Sequence, residues 1–185
     1  GLGSADHPLL GAVVGLAGVD GVLLTGRLSL VSHGWLADHV VLGVVVVPGT
    51  ALVELVLRAG DGVGCGWLEE LTLEAPLVVP ECGGVQVQLS VGVPDGVGRR
   101  VVGVFSRLEG EGEGSWTRHA VGVVSADVSG GAVVEGLGVW PPVGAVAVDV
   151  GGVYERLAGV GLEYGPVFRG VRAAWRRGDE VFAEV

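Results

Sequence analysis

One histidine of this chain stands where an imidazole could do acid–base chemistry. His39 directly precedes an apolar run, His39-Val-Val-Leu-Gly43-Val-Val-Val-Val-Pro48, which gives the spacing His39-x3-Gly43-x4-Pro48. Histidine titrates near neutral pH, and its neutral form suits the removal of a proton from a carbon acid. A structural alternative is that a histidine between Asp38 and a buried strand only forms hydrogen bonds at the end of that strand. The spacing identifies a candidate base beside an apolar pocket and leaves both roles open.

The elements around His39 have to hold it against a substrate. The six valines and one leucine of the run predict a strand that is buried on both faces and ends at Pro48 and Gly49. The sequence from Thr50 to Gly60 predicts a helix of about three turns, apolar around most of its circumference and ended by Gly60. Such a helix has to be covered on several sides, and the first half of the chain offers strands as cover.

Alternating patterns predict these covering strands. In residues 85–93, valine and leucine alternate with polar residues and glycine, as in a sheet with one packed and one polar face. Further strands are predicted at residues 22–31, 67–75, 101–108 and 116–125, with turns at residues 94–96 and 109–115. Together with the run after His39, about six strands would surround the helix. The sequence therefore predicts an α+β architecture in which a long curved antiparallel sheet is wrapped around a central helix.

Four motifs, in this order, make the chain resemble a known family. They are His7-Pro-Leu-Leu-Gly11, Trp35-Leu-Ala-Asp-His39 with its continuation to Pro48, Pro48-Gly-Thr-Ala-Leu-Val-Glu-Leu, and Tyr164-Gly-Pro-Val-Phe-Arg-Gly170. The chain resembles the dehydratase domains of modular type I polyketide synthases, which are relatives of those in animal fatty acid synthase. The resemblance spans essentially the whole chain and implies a hot-dog fold, as the first half of a double hot dog.

The resemblance also implies an activity and its partners. Water would be eliminated from a 3-hydroxyacyl thioester, carried on the phosphopantetheine of an acyl carrier protein, to give a 2-enoyl thioester, with His39 as the general base. The residues implied to border the substrate are Gly43, Pro48, Tyr164, Gly165, Pro166 and Phe168. The implied partners are the acyl carrier protein, neighbouring synthase domains and a second copy of the complete domain, with the segment around His7 helping to form the dimer. No metal and no redox cofactor is implied.

A second catalytic group is implied but not found. The family takes an aspartate from the central helix of its second hot dog, in an Asp-x3-Gln or Asp-x3-His setting. No aspartate of this chain has glutamine or histidine four residues further on. We therefore expect the second hot dog to be represented only by its beginning and the 185-residue chain to be inactive by itself. The opening Gly-Leu-Gly-Ser, without an initiator methionine, suggests a domain taken from a larger protein.

The patterns divide the chain into three parts: an N-terminal hot-dog subdomain at residues 1–126, a linker at 127–149, and the start of a C-terminal subdomain at 150–185. In the linker the periodic patterns give way to glycine-rich sequence and a Trp-Pro-Pro segment. After it, Asp149 could cap a short helix that presents Val153, Leu157 and Val160 on one face and ends at Gly161. Two strands follow, at residues 171–177 and 180–185, joined at Gly178-Asp179.

Composition limits the possible functions. The net charge of −10 argues against a nucleic-acid partner, because such proteins concentrate positive charge. Cys65 and Cys82 lack the spacing of a metal site or of a secreted disulfide scaffold, which fits a reducing compartment. The longest uncharged apolar stretch is interrupted by glycine and proline and is too short to cross a membrane. We expect a cytoplasmic protein without a membrane or nucleic-acid partner.

Alternative functions and roles remain open at this point. The same scaffold could perform double-bond migration or pyran formation, or the domain could be incomplete or decayed and contribute only shape and dimer contacts. Tyr164 could be a packed aromatic residue, and Gly43 and Pro48 could only shape the backbone. We expect Trp35 to lie in the core and His33 and His119 to be structural or solvated. A cluster of basic residues near the end would be a solvated face, or a docking site for an acidic carrier protein or its phosphopantetheine phosphate: Arg169, Arg172, Arg176 and Arg177.

Overall fold

The computed structural model describes residues 2–110, 116–126 and 138–185. The strands are β1 (Leu2–His7), β2 (Leu10–Gly15), β3 (Val22–Leu28), β4 (His39–Val41), β5 (Val44–Val45), β6 (Trp67–Leu73), β7 (Val85–Val91), β8 (Arg100–Leu108), β9 (Thr117–Ser125), β10 (Val146–Val148), β11 (Leu162–Tyr164), β12 (Ala173–Arg177) and β13 (Glu180–Glu184). The α-helices are α1 (Gly49–Asp61) and α2 (Val153–Ala158), and single turns of 3₁₀ helix lie at Gly34–Asp38 and Pro166–Phe168.

A seven-stranded antiparallel sheet with the order β1-β2-β3-β7-β8-β9-β6 forms the body of the fold. The alternation predicted for residues 85–93 is confirmed in β7, where every second side chain is buried. Helix α1 packs against β6, β7, β8 and β9. It contributes to the core through Leu52, Leu55, Val56 and Ala59, all of which are buried. A sheet packed around one central helix is the hot-dog fold, as the sequence predicts.

The prediction of one buried strand after His39 is wrong. The run forms the hairpin β4–β5, in which Val41 pairs with Val44 across a two-residue turn. Leu42 and Gly43 form this turn with φ angles of 50° and 80°, as a type I′ turn requires. The side chain of Leu42 is 79% exposed. The hairpin therefore stands outside the main sheet and pairs with β11 in a separate sheet of order β11-β4-β5.

The N-terminal hairpin, which the patterns do not predict, occupies one edge of the main sheet. Strand β1 pairs with β2, and β2 continues the sheet by pairing with β3. The pairing of β1 shifts register between Ser4 and His7, where Asp6 has a φ angle of 46°. This irregularity and the glycines of the segment conceal its alternation in the sequence.

The predicted ends of both helices need correction. Helix α1 does not end at Gly60 but continues to Asp61, with Gly62 at its C-terminal cap. Helix α2 is not capped by Asp149 and does not reach Gly161, since Gly152 precedes its first turn and Gly159 follows its last. The Asp149 carboxylate instead accepts the N–H of Gly151 at 2.8 Å.

The two predicted C-terminal strands are confirmed as β12 and β13, and β10 completes their sheet, which has the order β10-β12-β13. Of the predicted linker, residues 127–137 lie outside the described residues, as do residues 111–115 of the predicted turn. The division into three parts stays a prediction. No helix in the described parts of the chain is long and apolar enough to cross a membrane.

Candidate active site

His39 lies where the first 3₁₀ turn ends and β4 begins. Its ring Nδ1 is 2.7 Å from the carbonyl oxygen of Val46, and the N–H of Val46 donates to the carbonyl oxygen of His39 at 3.1 Å. Because a carbonyl oxygen only accepts, Nδ1 carries the proton in the neutral ring, and Nε2 keeps its lone pair. Val46, the residue that follows β5, thus fixes both the orientation and the tautomer of this imidazole.

Aromatic side chains enclose the His39 ring. The ring of Tyr164 stacks on it with a centroid separation of 5.3 Å and an interplanar angle of 28°. Phe168 lies at 5.1 Å with a tilt of 57°, and Trp35 lies 6.0 Å from Phe168. The tilted and offset geometries are those that aromatic rings prefer. The sequence-predicted residues Tyr164 and Phe168 therefore meet His39 directly.

Strand pairing brings these distant segments together. In the register of β11 against β4, Tyr164 is the partner of His39. Immediately beyond this pair, Asp38 receives two hydrogen bonds from the turn that contains Gly165 and Pro166: its carbonyl oxygen accepts the N–H of Gly165 at 2.8 Å, and its carboxylate accepts the N–H of Val167 at 2.9 Å. Asp38 is thus a site residue that the sequence patterns do not single out.

A cavity of about 340 Å³ opens beside His39. Apart from His39 and Glu74, it is lined by apolar residues and glycine: Val46, Val47, Gly49, Leu52, Leu73, Ala75, Pro76 and Leu77. The carboxylate of Glu74 is paired with the guanidinium of Arg118 at 2.7 and 2.8 Å. Hydrogen bonding to Arg118 lowers the pKa of Glu74, so the negative charge of this carboxylate is compensated by the guanidinium of Arg118. The remaining wall suits an acyl chain.

The N-terminus of α1 reaches the same cavity through Gly49. Pro48 stands at its cap, and the N–H groups of Ala51 and Leu52 donate to the Pro48 carbonyl oxygen at 3.0 and 3.3 Å. The first N–H groups of an α-helix have no partner within the helix, and the helix dipole makes this end favourable for negative charge. The N–H of Gly49 is therefore chemically suited to a developing oxyanion.

A second, larger groove of about 920 Å³ is lined in part by Phe168 and Pro48. Its walls include Trp35, the N-terminal segment Asp6–Leu9 and the exposed face of α1. Trp35, expected in the core, is 37% exposed here. That prediction is wrong, because the side chain packs on Phe168 at the edge of the site rather than under the sheet.

Pro48 and Phe168, expected to border the substrate, line the larger groove rather than the cavity beside His39, and Gly43, His119 and Arg169 do not line that cavity either. Gly43 stands at the tip of the β4–β5 turn, where a Cβ would have nothing within 4 Å, so its predicted place in the cavity wall stays a prediction. His119 is buried, with Nε2 2.7 Å from Ser106 Oγ and Nδ1 3.1 Å from the Ala75 carbonyl oxygen. Arg169 donates from Nε to the Tyr164 carbonyl oxygen at 2.7 Å and lies over the ring of Tyr154. Within the described residues, no group of three or more His, Cys, Asp or Glu side chains could hold a metal ion.

Comparison with known proteins finds matches along most of the chain. Residues 7–107 match the family described as polyketide synthase dehydratase domain, and residues 134–185 match the one described as polyketide synthase dehydratase N-terminal domain. The chain is 60% identical to the pikromycin polyketide synthase component PikAII of Streptomyces venezuelae over 186 residues, which cover 100% of the chain and 5% of that protein. It thus spans about a twentieth of this relative.

Solved structures are similar over nearly the whole chain. The dehydratase domain from the terminal module of the rifamycin polyketide synthase superposes with a TM-score of 0.93 at 54% identity, over 99% of this chain and 66% of that one. The bifunctional dehydratase-cyclase domain in ambruticin biosynthesis superposes with a TM-score of 0.87 at 48% identity, over 99% and 66% of the two chains.

Proposed function

Because this chain belongs to the polyketide synthase dehydratase family, we propose that it takes part in removing water from a 3-hydroxyacyl thioester to give a 2-enoyl thioester. The substrate is carried on the phosphopantetheine arm of an acyl carrier protein, and neighbouring synthase domains supply it. The observation that carries the proposal is the His39 ring, which has Nδ1 bonded to the Val46 carbonyl oxygen and borders an apolar cavity beside a helix N-terminus.

The elimination needs a base and an acid. His39 Nε2 takes the proton from the carbon next to the thioester carbonyl, and the electron pair of that C–H bond forms the double bond as the C–O bond to the hydroxyl breaks. The N–H of Gly49 stabilises the negative charge that develops on the thioester oxygen. The departing hydroxyl takes a proton from a carboxylic acid and leaves as water.

The carboxylic acid is not assigned to a residue of this chain. The family's aspartate stands in an Asp-x3-Gln or Asp-x3-His setting, and no aspartate here does so. We propose that this group comes from a segment outside the 185 residues and that the chain by itself has negligible activity. The proposed setting is a cytoplasmic homodimer of the complete domain that uses no metal and no redox cofactor.

The proposal predicts the effect of changing His39. The polypeptide that carries this chain is mixed with a 3-hydroxyacyl pantetheine thioester, and the 2-enoyl product is followed by its absorbance and by the loss of water in mass spectrometry. His39→Phe keeps an aromatic ring against Tyr164 and removes the base. We expect turnover to fall by about 10²- to 10⁴-fold.

His33→Phe is the matched control, since His33 contacts Ser32 and Pro8 and does not line the cavity. We expect it to keep turnover within about twofold of the parent protein. If the parent protein binds the thioester and never changes its mass, the elimination proposal is wrong and a non-catalytic role is favoured. Robust turnover by the 185-residue chain alone would contradict the assignment of the acid to another segment.

A second candidate is ring formation after dehydration. The similarity to a bifunctional dehydratase-cyclase domain, at 48% identity, favours its consideration. A substrate with a further hydroxyl group on the acyl chain distinguishes the two, because cyclisation consumes the 2-enoyl absorbance without a second change of mass. Migration of the double bond in an enoyl substrate would likewise shift absorbance at constant mass, and it requires no added hydroxyl group.

A further inference from the structure

Asp38 joins two segments of the site that are far apart in sequence. Its carboxylate Oδ2 accepts the N–H of Val167 at 2.9 Å, and these residues are separated by 129 positions. Its carbonyl oxygen accepts the N–H of Gly165 at 2.8 Å. The residue therefore holds the turn 165–168 at both its first and third residues. A carboxylate bound to a backbone N–H forms a charge-assisted hydrogen bond, which is stronger than a neutral one.

The close contact at Gly165 is a second observation that places the Asp38 side chain against the turn 165–168. The backbone of Gly165 has φ −79° and ψ −179°, an extended conformation that any residue adopts. A Cβ at this position would collide with the Cγ and Oδ1 atoms of Asp38. Glycine is therefore required here by the contact with Asp38 and not by the backbone angles.

The turn held by Asp38 carries an aromatic wall of the site. Tyr164 directly precedes it and stacks on the His39 ring, and Phe168 ends it and contacts the same ring at 5.1 Å. Asp38 is also the neighbour of His39 in sequence, so one dipeptide supplies both the imidazole and the acceptor for the opposing turn. Loss of the carboxylate would free the Val167 N–H and let the two rings move away from His39.

We infer that Asp38 is a positioning residue of the site, which holds Tyr164 and Phe168 against His39 so that the imidazole keeps one orientation. The inference rests on the proposed function for its effect on turnover, while its structural part stands on the hydrogen bonds alone. Asp38 is assigned no contact with the substrate and no proton transfer. A base displaced by about 1 Å can lose on the order of 10²-fold in rate, which makes such a residue kinetically visible.

Three variants of the polypeptide that contains this chain test the inference. Asp38→Leu removes the acceptor, whereas Asp38→Asn keeps a carbonyl oxygen that can accept the Val167 N–H. Gly165→Ala displaces the Asp38 side chain from the opposite segment. Gly34→Ala is the matched control, because Gly34 lies in the same short 3₁₀ helix as Asp38 and a Cβ there has nothing within 4 Å.

Two readouts are measured on each variant. The first is the ring-current shift of the His39 imidazole protons by NMR with labelled histidine, assigned by its absence from His39→Phe. The second is kcat and KM for dehydration, with far-UV circular dichroism as a check of folding. For Asp38→Leu and Gly165→Ala, we expect a changed ring-current shift and a kcat that is lower by about tenfold or more, with KM changed less. For Asp38→Asn, whose neutral amide oxygen can accept only a weaker hydrogen bond from the Val167 N–H, we expect smaller changes than for Asp38→Leu. For Gly34→Ala, we expect values within about twofold of the parent protein.

The outcomes separate this inference from the proposed function. If Asp38→Leu folds and leaves both the ring-current shift and kcat unchanged, the inference is overturned. If Asp38→Leu and Asp38→Asn lower kcat equally while the ring-current shift stays, Asp38 acts by its charge and the positioning role is wrong. If the ring-current shift changes as expected while the parent protein has no turnover, the positioning role holds and the dehydratase proposal fails. If Asp38→Leu does not fold, Gly165→Ala decides the test, and an unchanged ring-current shift and kcat in that variant overturn the inference.

Discussion

The imidazoles of His39 and His119 make the same kind of hydrogen bond at Nδ1 but differ at Nε2. His39 and His119 both have Nδ1 close to a backbone carbonyl oxygen, at 2.7 Å from Val46 and 3.1 Å from Ala75 respectively. Nε2 of His119 is occupied by the hydroxyl group of Ser106 at 2.7 Å. Nε2 of His39 makes no hydrogen bond to another residue that the structure describes, and the ring borders a cavity. The second ring nitrogen therefore separates a candidate base from a structural histidine.

Burial of His119 has a consequence for stability. Burial lowers the pKa of His119 below its ordinary value of 6.5. The unfolded chain then binds this proton more readily than the folded chain. The contribution of neutral, buried His119 to the free energy of unfolding is present above pH 6.5, and it is lost as the pH falls through the lowered pKa of the folded state. We expect the free energy of unfolding in urea to decrease between about pH 7.5 and 5.5, and His119→Gln to reduce this slope.

Glu74→Gln serves as the control for that slope. The hydrogen bond from Arg118 lowers the pKa of Glu74 below 4.5, so this carboxylate stays ionised throughout the window. The control can change the unfolding free energy but should leave its slope with pH unaltered. Some slope should remain in His119→Gln, because burial also lowers the pKa of His7. An identical slope in the parent chain and His119→Gln would contradict the assignment.

At the scale of elements, α1 is held by close backbone contact as well as by apolar side chains. Gly60 lies in its last turn, and a Cβ there would collide with the carbonyl oxygen of Cys65 and come within 3.4 Å of the Val124 side chain. The N–H of Cys65 donates to the Gly60 carbonyl oxygen at 2.8 Å. The segment after the helix therefore folds back against it at a point where only glycine leaves room.

This contact reverses the usual effect of alanine in a helix. Alanine normally stabilises a helix interior by about 1 kcal/mol relative to glycine. For Gly60→Ala we instead expect the free energy of unfolding to fall by about 1–3 kcal/mol, because backbone atoms would have to move. Chemical denaturation measures the change, and Gly15→Ala, at a site with nothing within 4 Å of a Cβ, should have a much smaller effect. An increase in stability for Gly60→Ala would show that the chain can relax around the added methyl group.

The sequence predicts best the elements that keep a single period. Strand β7 and helix α1 follow from uninterrupted alternation and from a long apolar helix pattern. The hairpin after His39 escapes prediction because its turn contains Leu42, an apolar residue with a positive φ angle, so the run has the pattern of one strand. The end of α1 is mispredicted at Gly60 because a glycine selected by close packing looks the same in sequence as a capping glycine.

The site is predictable only in part. His39, Tyr164 and Phe168 belong to recognisable motifs, and they meet in the structure. The role of Asp38 depends on a partner 129 residues away, and no local pattern reports such a contact. The bulk of Trp35 favours a place in the core, although its partner Phe168 lies at the rim of the larger groove.

At the scale of the whole molecule, strand edges and apolar side chains are exposed together. Among the residues that the structure describes, strands β10 and β13 form the two edges of the small sheet. Val146 on β10 is 71% exposed, and Val181 on β13 is 70% exposed. Unpaired strand edges with apolar residues favour pairing with another chain.

We therefore expect the 185-residue chain to associate as its concentration rises. Val181→Lys should weaken this association, because a lysine on an edge strand opposes pairing. Sedimentation velocity over a range of concentrations measures the effect. Val97→Lys is the control, since Val97 is 76% exposed but lies in a turn outside the strands. A parent chain that stays monomeric, or equal effects of both lysines, would contradict the role of this edge.

The pairing of β4 with β11 also has a consequence for the order of events during synthesis. A ribosome releases His39 long before it releases Tyr164, and N-terminal parts of a nascent chain generally fold first. The main sheet and its helix can form while the imidazole still lacks its aromatic neighbours, since the first 125 residues contain every strand of that sheet. The aromatic enclosure of His39 is thus completed only near the end of translation of this stretch, so a prematurely terminated product would carry the histidine without the enclosure around it.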